Sequence, residues 1–269
     1  MSGPEYARYG GNTSCVLVEM DDELVILDLG TGLRKLGHDL ADHRRWGGRP
    51  LRGSVLLTHM HYDHLLGLPF FGPIHAPGAN LDVFGPDTAE GPLSEVMARA
   101  VEPPYFPVSL ADFTGEFHLH PTGDQNFALG PAKVRSRFIA HRGHTLGYRI
   151  EVDDHVVAYL PDHQAPLDQS TVSAGVRDLG EGADLLIHDA QYSAAEFDQK
   201  KDWGHSTVAY AVRVAAEVGA KKLVMFHHDP HHDDETIDAL VTAARAMPEA
   251  RQLGGICAAY EGMTVELGR

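Results

Sequence analysis

The stretch Thr58-His59-Met60-His61-Tyr62-Asp63-His64 decides how the rest of the chain is read. It follows Val55-Leu56-Leu57, a short apolar run of the kind that ends a buried strand. Three histidines and one aspartate fall between residues 59 and 64, and all four are metal-ligand types. On an extended start, His59 and His61 project to the same side. Asp63 and His64 follow where the chain turns, so they can face a neighbouring position. That arrangement suits two ions better than one. A strand-to-helix loop of ordinary polarity would leave this density of imidazole unexplained.

Working outward, the same event recurs at other strand ends. Glu23-Leu24-Val25-Ile26-Leu27 ends on Asp28, and Val156-Val157-Ala158-Tyr159-Leu160 reaches Asp162 after Pro161. Leu185-Leu186-Ile187 ends on His188-Asp189, and Leu223-Val224-Met225-Phe226 ends on His227-His228. Singly, each would be a solvated strand end. Together they predict a sheet edge that collects polar groups on rigid supports. The predicted strands are Cys15–Glu19, Glu23–Asp28, Ser54–Thr58, Asp82–Phe84, Val134–Ile139, Gly147–Val152, Val156–Leu160, Leu185–His188, Lys222–Phe226 and Met263–Leu267. The predicted helices are Gly32–Leu40, Leu93–Ala100, Thr207–Val218 and Glu235–Met247. No repeat, low-complexity tract or Pro/Gly/Ser-rich linker divides the chain, so a single domain over 1–269 is expected.

The His59–His64 segment resembles the signature of the metallo-β-lactamase superfamily, and further landmarks of that family occur in order along nearly the whole chain. Leu27-Asp28-Leu29-Gly30-Thr31-Gly32 is similar to its early Asp-x-Gly element. His141, six residues before Gly147-Tyr148-Arg149, resembles the third metal motif of the tRNase Z and cyclic-nucleotide phosphodiesterase branch. Asp162 matches the bridging-aspartate position, and His227 that of the last ligand. Gly204-His205-Ser206-Thr207 looks like the His-Ser-Thr loop of the same branch. The resemblance implies an α/β protein, a four-layer αββα sandwich. It implies a first ion on His59, His61 and His141, a second on Asp63, His64 and His227, and Asp162 bridging both. This mix of nitrogen and carboxylate ligands suits two Zn²⁺ ions, with Mn²⁺ and Fe²⁺ as alternatives. His144 competes with His141 for its position, and His228 with His227. Asp28 is a candidate for orienting a ligating imidazole. The catalytic candidates are Asp63, also a ligand, and His205, which the resemblance turns toward the reacting phosphate.

Residue types narrow the branch further. A β-lactamase would place a cysteine where Asp162 stands, and a flavodiiron reductase would carry Glu at His61. A glyoxalase-II-like thioesterase shares the His59–His64 pattern, but is not expected to carry Gly-His-Ser-Thr or Gly147-Tyr148-Arg149. The implied activity is hydrolysis of a small phosphodiester, such as a cyclic nucleotide, by a hydroxide bridging two ions. Two alternatives stand beside it. One is a thioesterase or similar hydrolase; the other is a non-catalytic, metal-bearing, nucleotide-binding regulator.

The composition bears on partners. Lys and Arg number 22 against 38 Asp and Glu, a net charge of −16. Such a chain repels polyanions at long range. A small anionic substrate is therefore expected, and extended nucleic acid is not. His141 and Asp162 are 21 residues apart (162 − 141), which leaves no room there for the inserted arm with which tRNase Z often grips tRNA. No apolar run reaches membrane-spanning length, and the start, Met1 to Arg8, lacks an apolar signal core. The expected location is the cytoplasm, without a membrane partner. The branch makes a homodimer possible. Cys15 and Cys257 are expected as buried reduced thiols. The loop Glu102-Pro103-Pro104-Tyr105-Phe106-Pro107-Val108 has three readings: a cleft wall, a subunit contact, or a buried crossing. Ser206 or Thr207 should cap one helix, and Asp233 or Asp234 another. His38, His43, His118 and His120 lie outside the pattern and read as structural or surface residues.

Overall fold

The structure, a computed structural model, describes residues 3–20 and 22–268. The chain divides into two compact units, Asn12–Gly123 and Met1–Gly11 with Asp124–Arg269. Each has its own sheet, helices and apolar core.

The first unit, Asn12–Gly123, contains β1 (Val16–Met20), β2 (Glu23–Leu27), α1 (Gly32–Asp42), β3 (Arg52–Leu56), β4 (Asn80–Gly85), α2 (Leu93–Ala100) and β5 (Glu116–Pro121). The strands lie in the order β1-β2-β3-β4-β5. β1 is antiparallel to β2, and β2 through β5 are parallel. Parallel neighbours need a long crossover. α1 lies in the one between β2 and β3, and α2 in the one between β4 and β5. Leu24, Ile26, Val55, Leu81 and Val83 of the sheet share a buried cluster with Leu33 and Leu40 of α1 and Leu93 and Met97 of α2. Parallel pairing also brings the C-terminal ends of β2 and β3 to one edge, where Asp28 and Thr58-His59 follow.

The second unit contains β6 (Gln125–Leu129), β7 (Ala132–Phe138), β8 (Leu146–Val152), β9 (His155–Leu160), α3 (Ala174–Gly180), β10 (Leu185–Asp189), α4 (Ala194–Gln199), α5 (Val208–Glu217), β11 (Lys222–Phe226), α6 (Asp234–Ala246) and β12 (Gly255–Ala258). Its order is β12-β11-β10-β9-β8-β7-β6. β9 to β12 are parallel, whereas β6 to β9 are antiparallel. The ends of β9, β10 and β11 therefore share an edge and carry Asp162, Asp189 and His227. Because β8 runs against β9, the β7–β8 connection with His141 reaches that same edge. α5 buries Val208, Val212 and Val214, each contributing about 1.5–3 kcal/mol, so packing rather than helix propensity holds it. Thr207 caps it, accepting the Tyr210 N–H at 3.0 Å. Asp233 caps α6 through the Thr236 N–H at 2.8 Å. Arg149 donates to the carbonyls of Leu179 (3.0 Å) and Glu181 (2.6 Å), tying β8 to the end of α3.

Several expectations need correction. Met263–Leu267 forms no strand; a turn with Met263 N–H on the Tyr260 carbonyl leads into it, and β12 takes the place beside β11. The strands β5, β6 and β12, and the short helices α3 and α4, were not predicted. β3 ends at Leu56, so Thr58 lies in the loop rather than the strand. Cys15 and Cys257 are free thiols but half-buried, not buried. The 102–108 loop is not a buried crossing: Tyr105 is 77% exposed, while Phe106 packs against the core with its ring 5.8 Å from Phe70. Among the described residues, no helix is long and apolar enough to cross a membrane.

Candidate metal centre

In the first unit, the ligand-type residues occupy one loop. After β3 the chain has no regular structure until His61, which is extended at φ −67° and ψ 152°, and then makes a single 3-10 turn over Tyr62–His64. The His64 N–H closes that turn on the His61 carbonyl at 3.0 Å. His59 Nε2 lies 2.8 Å from His61 Nδ1, so the two imidazoles converge. His64 Nε2 and Asp63 Oδ2 are 3.4 Å apart.

Asp28 organises this loop from beneath. It is fully buried and has a φ of 61°, the left-handed region. That conformation costs on the order of 1–3 kcal/mol. The carboxylate accepts the Thr58 N–H at 2.7 Å, the Thr58 hydroxyl at 3.0 Å and His64 Nδ1–H at 2.8 Å. Hydrogen bonds to a charged group contribute about 1.5–3 kcal/mol each, enough to outweigh the strain. The bond to Asp28 fixes the His64 tautomer, with the ring proton on Nδ1 and none on Nε2. Thr58 Oγ1 stands 3.0 Å from His59 Nδ1 and can accept its proton while donating to Asp28. Gly30 is required two residues on: a Cβ there would overlap the Asp63 and Ser14 carbonyl oxygens.

In the second unit, the residues come from separate loops. Asp162, 1% exposed, lies at their centre. His141 Nε2 is 3.5 Å from Asp162 Oδ2, and His227 Nε2 is 3.4 Å from Oδ1. His141 Nδ1–H donates to the Gly204 carbonyl at 2.6 Å. Gly204 sits at φ 102°, and a Cβ there would lie 2.5 Å from His141 Nδ1, so only glycine allows both the turn and the approach. His227 has a φ of 58°, matching Asp28 in its left-handed backbone at a strand end.

His205 joins this cluster. Its Nδ1 donates to Asp189 Oδ2 at 2.8 Å and lies 3.9 Å from Asp162 Oδ2. Its ring stacks on His227 with centroids 4.9 Å apart. Asp189 also accepts the backbone N–H groups of His163 (3.1 Å), Gln191 (3.1 Å) and Ser206 (3.2 Å). Behind it, His188 Nδ1–H donates to the Asp189 carbonyl at 2.6 Å, and His163 Nδ1 lies 3.0 Å from His188 Nε2. Burial pushes both imidazolium groups below the ordinary histidine range, His163 well below it. As neutral rings, they form a rigid backing for Asp189.

The donor spacing suits metal ions. A tetrahedral ion with bonds of about 2.0–2.1 Å sets its ligand atoms about 3.3–3.4 Å apart. Three imidazole–carboxylate pairs stand at 3.4–3.5 Å, longer than a hydrogen bond. The chain therefore carries His/Asp clusters able to hold metal ions. His144 is exposed and packs on Phe138 at 5.6 Å between ring centroids, so His141 is the histidine beside Asp162. His228 Nε2–H donates to the Ala259 carbonyl at 3.1 Å, and burial lowers its pKa to about 4. His231 and His232 pair with Asp229 and Glu196. His118 and His120 bond Asn80 and Asp82 on β4. Sequence reasoning marked Asp189 as a polar strand end but gave it no role. The Gly204 carbonyl had no readable signal, because backbone acceptors leave no mark on residue type.

Residues 26–228 match the family described as the Beta-lactamase superfamily domain. The chain is 28% identical to a ribonuclease Z of Myxococcus xanthus, over 95% of this chain and 92% of that protein. Its structure is similar to the metallo-β-lactamase fold protein YhfI of Bacillus subtilis, with a TM-score of 0.70, 23% identity and 96% of each chain covered. It is also similar to the short form of human tRNase Z, with a TM-score of 0.65, 21% identity, and 96% and 93% covered.

Proposed function

This chain belongs to the beta-lactamase superfamily and has the metallo-β-lactamase fold, and from that premise we propose that it is a dinuclear metal-dependent phosphodiester hydrolase. His59, His61 and His141 would hold one ion, and Asp63, His64 and His227 the other, with Asp162 bridging. The imidazole and carboxylate donors suit Zn²⁺. When bound, the ion pair supplies an activated water and offsets charge on the phosphoryl oxygens.

The chain's own groups do the rest. Asp28 and Thr58 hold His64 and His59 in ligating orientation, and the Gly204 carbonyl does so for His141. Asp189 holds His205 by Nδ1, which leaves Nε2 to face a substrate and to protonate or neutralise the leaving oxygen. The observation that carries this reading is the His205–Asp189 pair, built 3.9 Å from a ligand carboxylate.

The lead substrate is a small phosphodiester such as a cyclic nucleotide, on the ground of the net charge of −16. The second reading is RNA. The ribonuclease Z relative favours it and weighs against the expectation that extended nucleic acid is no partner. One panel tests both: metal-loaded protein given bis-p-nitrophenyl phosphate, cyclic nucleotides, a tRNA precursor, a thioester and a lactam. Cleavage of the small diesters with at least tenfold preference over the precursor supports the lead reading. The reverse preference assigns RNA. Turnover of the thioester or lactam alone overturns phosphodiester hydrolysis, and tight nucleotide binding without turnover would make the chain a regulator.

A further inference from the structure

A cleft of ≈ 440 Å³ opens in the first unit between α1, the segment after it and the start of β3. None of its lining residues is a metal-ligand candidate named above, and their chemistry is of another kind. Its floor is apolar: Leu24, Leu40 and Leu51 line it while being at most 7% exposed themselves. Trp46 and Phe70 add aromatic walls. The Trp46 indole N–H is already used on Glu19 at 2.9 Å, so the ring offers the cleft carbon.

The rim is cationic. Arg34 and His38 stand one turn apart on α1, and Arg49 and Arg52 flank Pro50-Leu51. Among the described residues, no Asp or Glu lines the cleft. The three arginines are exposed, and no described residue forms an ion pair or a side-chain hydrogen bond with them. In a chain with a net charge of −16, such a cation-only rim is a local reversal. Pockets for small molecules combine an apolar lining with a few placed polar groups, in this range of volume. A guanidinium fork grips one carboxylate through two parallel bonds, so one arginine suffices for the head group while the body enters the cleft.

We propose that this cleft binds an organic carboxylate with an apolar body, of the medium-chain fatty-acid class. The site is separate from the metal chemistry and does not depend on the hydrolase reading. It presents apolar surface for the chain and a choice of guanidinium groups for the head.

Calorimetry on the full, metal-loaded protein tests it, with decanoate below its micelle concentration as the probe. Decanol carries the body without the charge, acetate the charge without the body, and decyl phosphate the wrong head group. Decanoate is expected to bind at least tenfold more tightly than any of the three. Decanol within about twofold of decanoate, or decyl phosphate bound more tightly, overturns the proposal. Two variants locate the site: Arg49→Glu with Arg52→Glu reverses the rim, and Ala41→Trp, at an exposed position lining the cleft, fills it. Each should weaken decanoate at least tenfold with unfolding midpoint and metal content unchanged. Unaltered binding in both variants overturns the assignment. If a variant fails to fold, a decanoate-dependent chemical shift confined to α1 and residues 46–52 of the wild-type protein decides in its place.

Discussion

The two regions that carry the candidate ligands gather them by different means. In the first unit, His59, His61, Asp63 and His64 share one loop, where an extended His61 leads into one 3-10 turn. In the second, His141, Asp162 and His227 follow three separate strands and meet because of sheet topology. The orienting partners differ too. A buried carboxylate, Asp28, serves the contiguous loop. A backbone carbonyl serves His141, and Asp189 serves His205. Both regions hold a left-handed residue at a strand end, Asp28 and His227, where the chain must turn sharply to present a side chain. Local chain geometry can thus bring together the one group of side chains, whereas the other needs a folded sheet.

The sharpest way to break this comparison is Asp162→Ala. It removes the carboxylate shared by His141 and His227, and both metal content and phosphodiester turnover should fall to the background of stripped protein. Two ions retained by elemental analysis would show that the scattered region is not needed to hold them. His205→Ala comes next: metal content should stay, while kcat drops about 10²–10³-fold. An unchanged kcat removes His205 from the reaction.

Asp28→Asn probes the contiguous loop. Asn also tolerates a left-handed backbone, so the change isolates the carboxylate. Metal affinity, measured against a competing chelator, should weaken about 10–100-fold. Wild-type affinity would mean that the loop orients itself. Gly204→Ala tests the backbone device of the other region. It should destabilise the protein by about 1–3 kcal/mol in denaturant unfolding, because φ 102° and the contact with His141 both resist a Cβ. The smallest effect is reserved for His144→Ala, where stability should change by less than about 0.5 kcal/mol and metal binding not at all. A lost ion there would reassign the ligand from His141.

Legibility followed exposure as much as motif strength. The three strands that sequence patterns missed are β5, β6 and β12, and each lies at the edge of its sheet. An edge strand pairs on one side only and carries more exposed positions, so its apolar run is broken; β5 reads Glu-Phe-His-Leu-His-Pro with no buried residue. Met263–Leu267 shows the converse error. It alternates like a strand but has no ladder partner among the described residues.

By itself, the sequence determined the His59–His64 cluster, the polar strand ends and that one cap lies at Ser206 or Thr207 and another at Asp233 or Asp234, because these rest on residue type, spacing and short-range backbone geometry; the structure chose Thr207 and Asp233. Tertiary structure alone decided that His141 rather than His144 lies beside Asp162, that Asp189 holds His205, and that Gly204 lends a carbonyl. Those choices depend on strand register and on how loops distant in sequence approach one another, which no local pattern encodes.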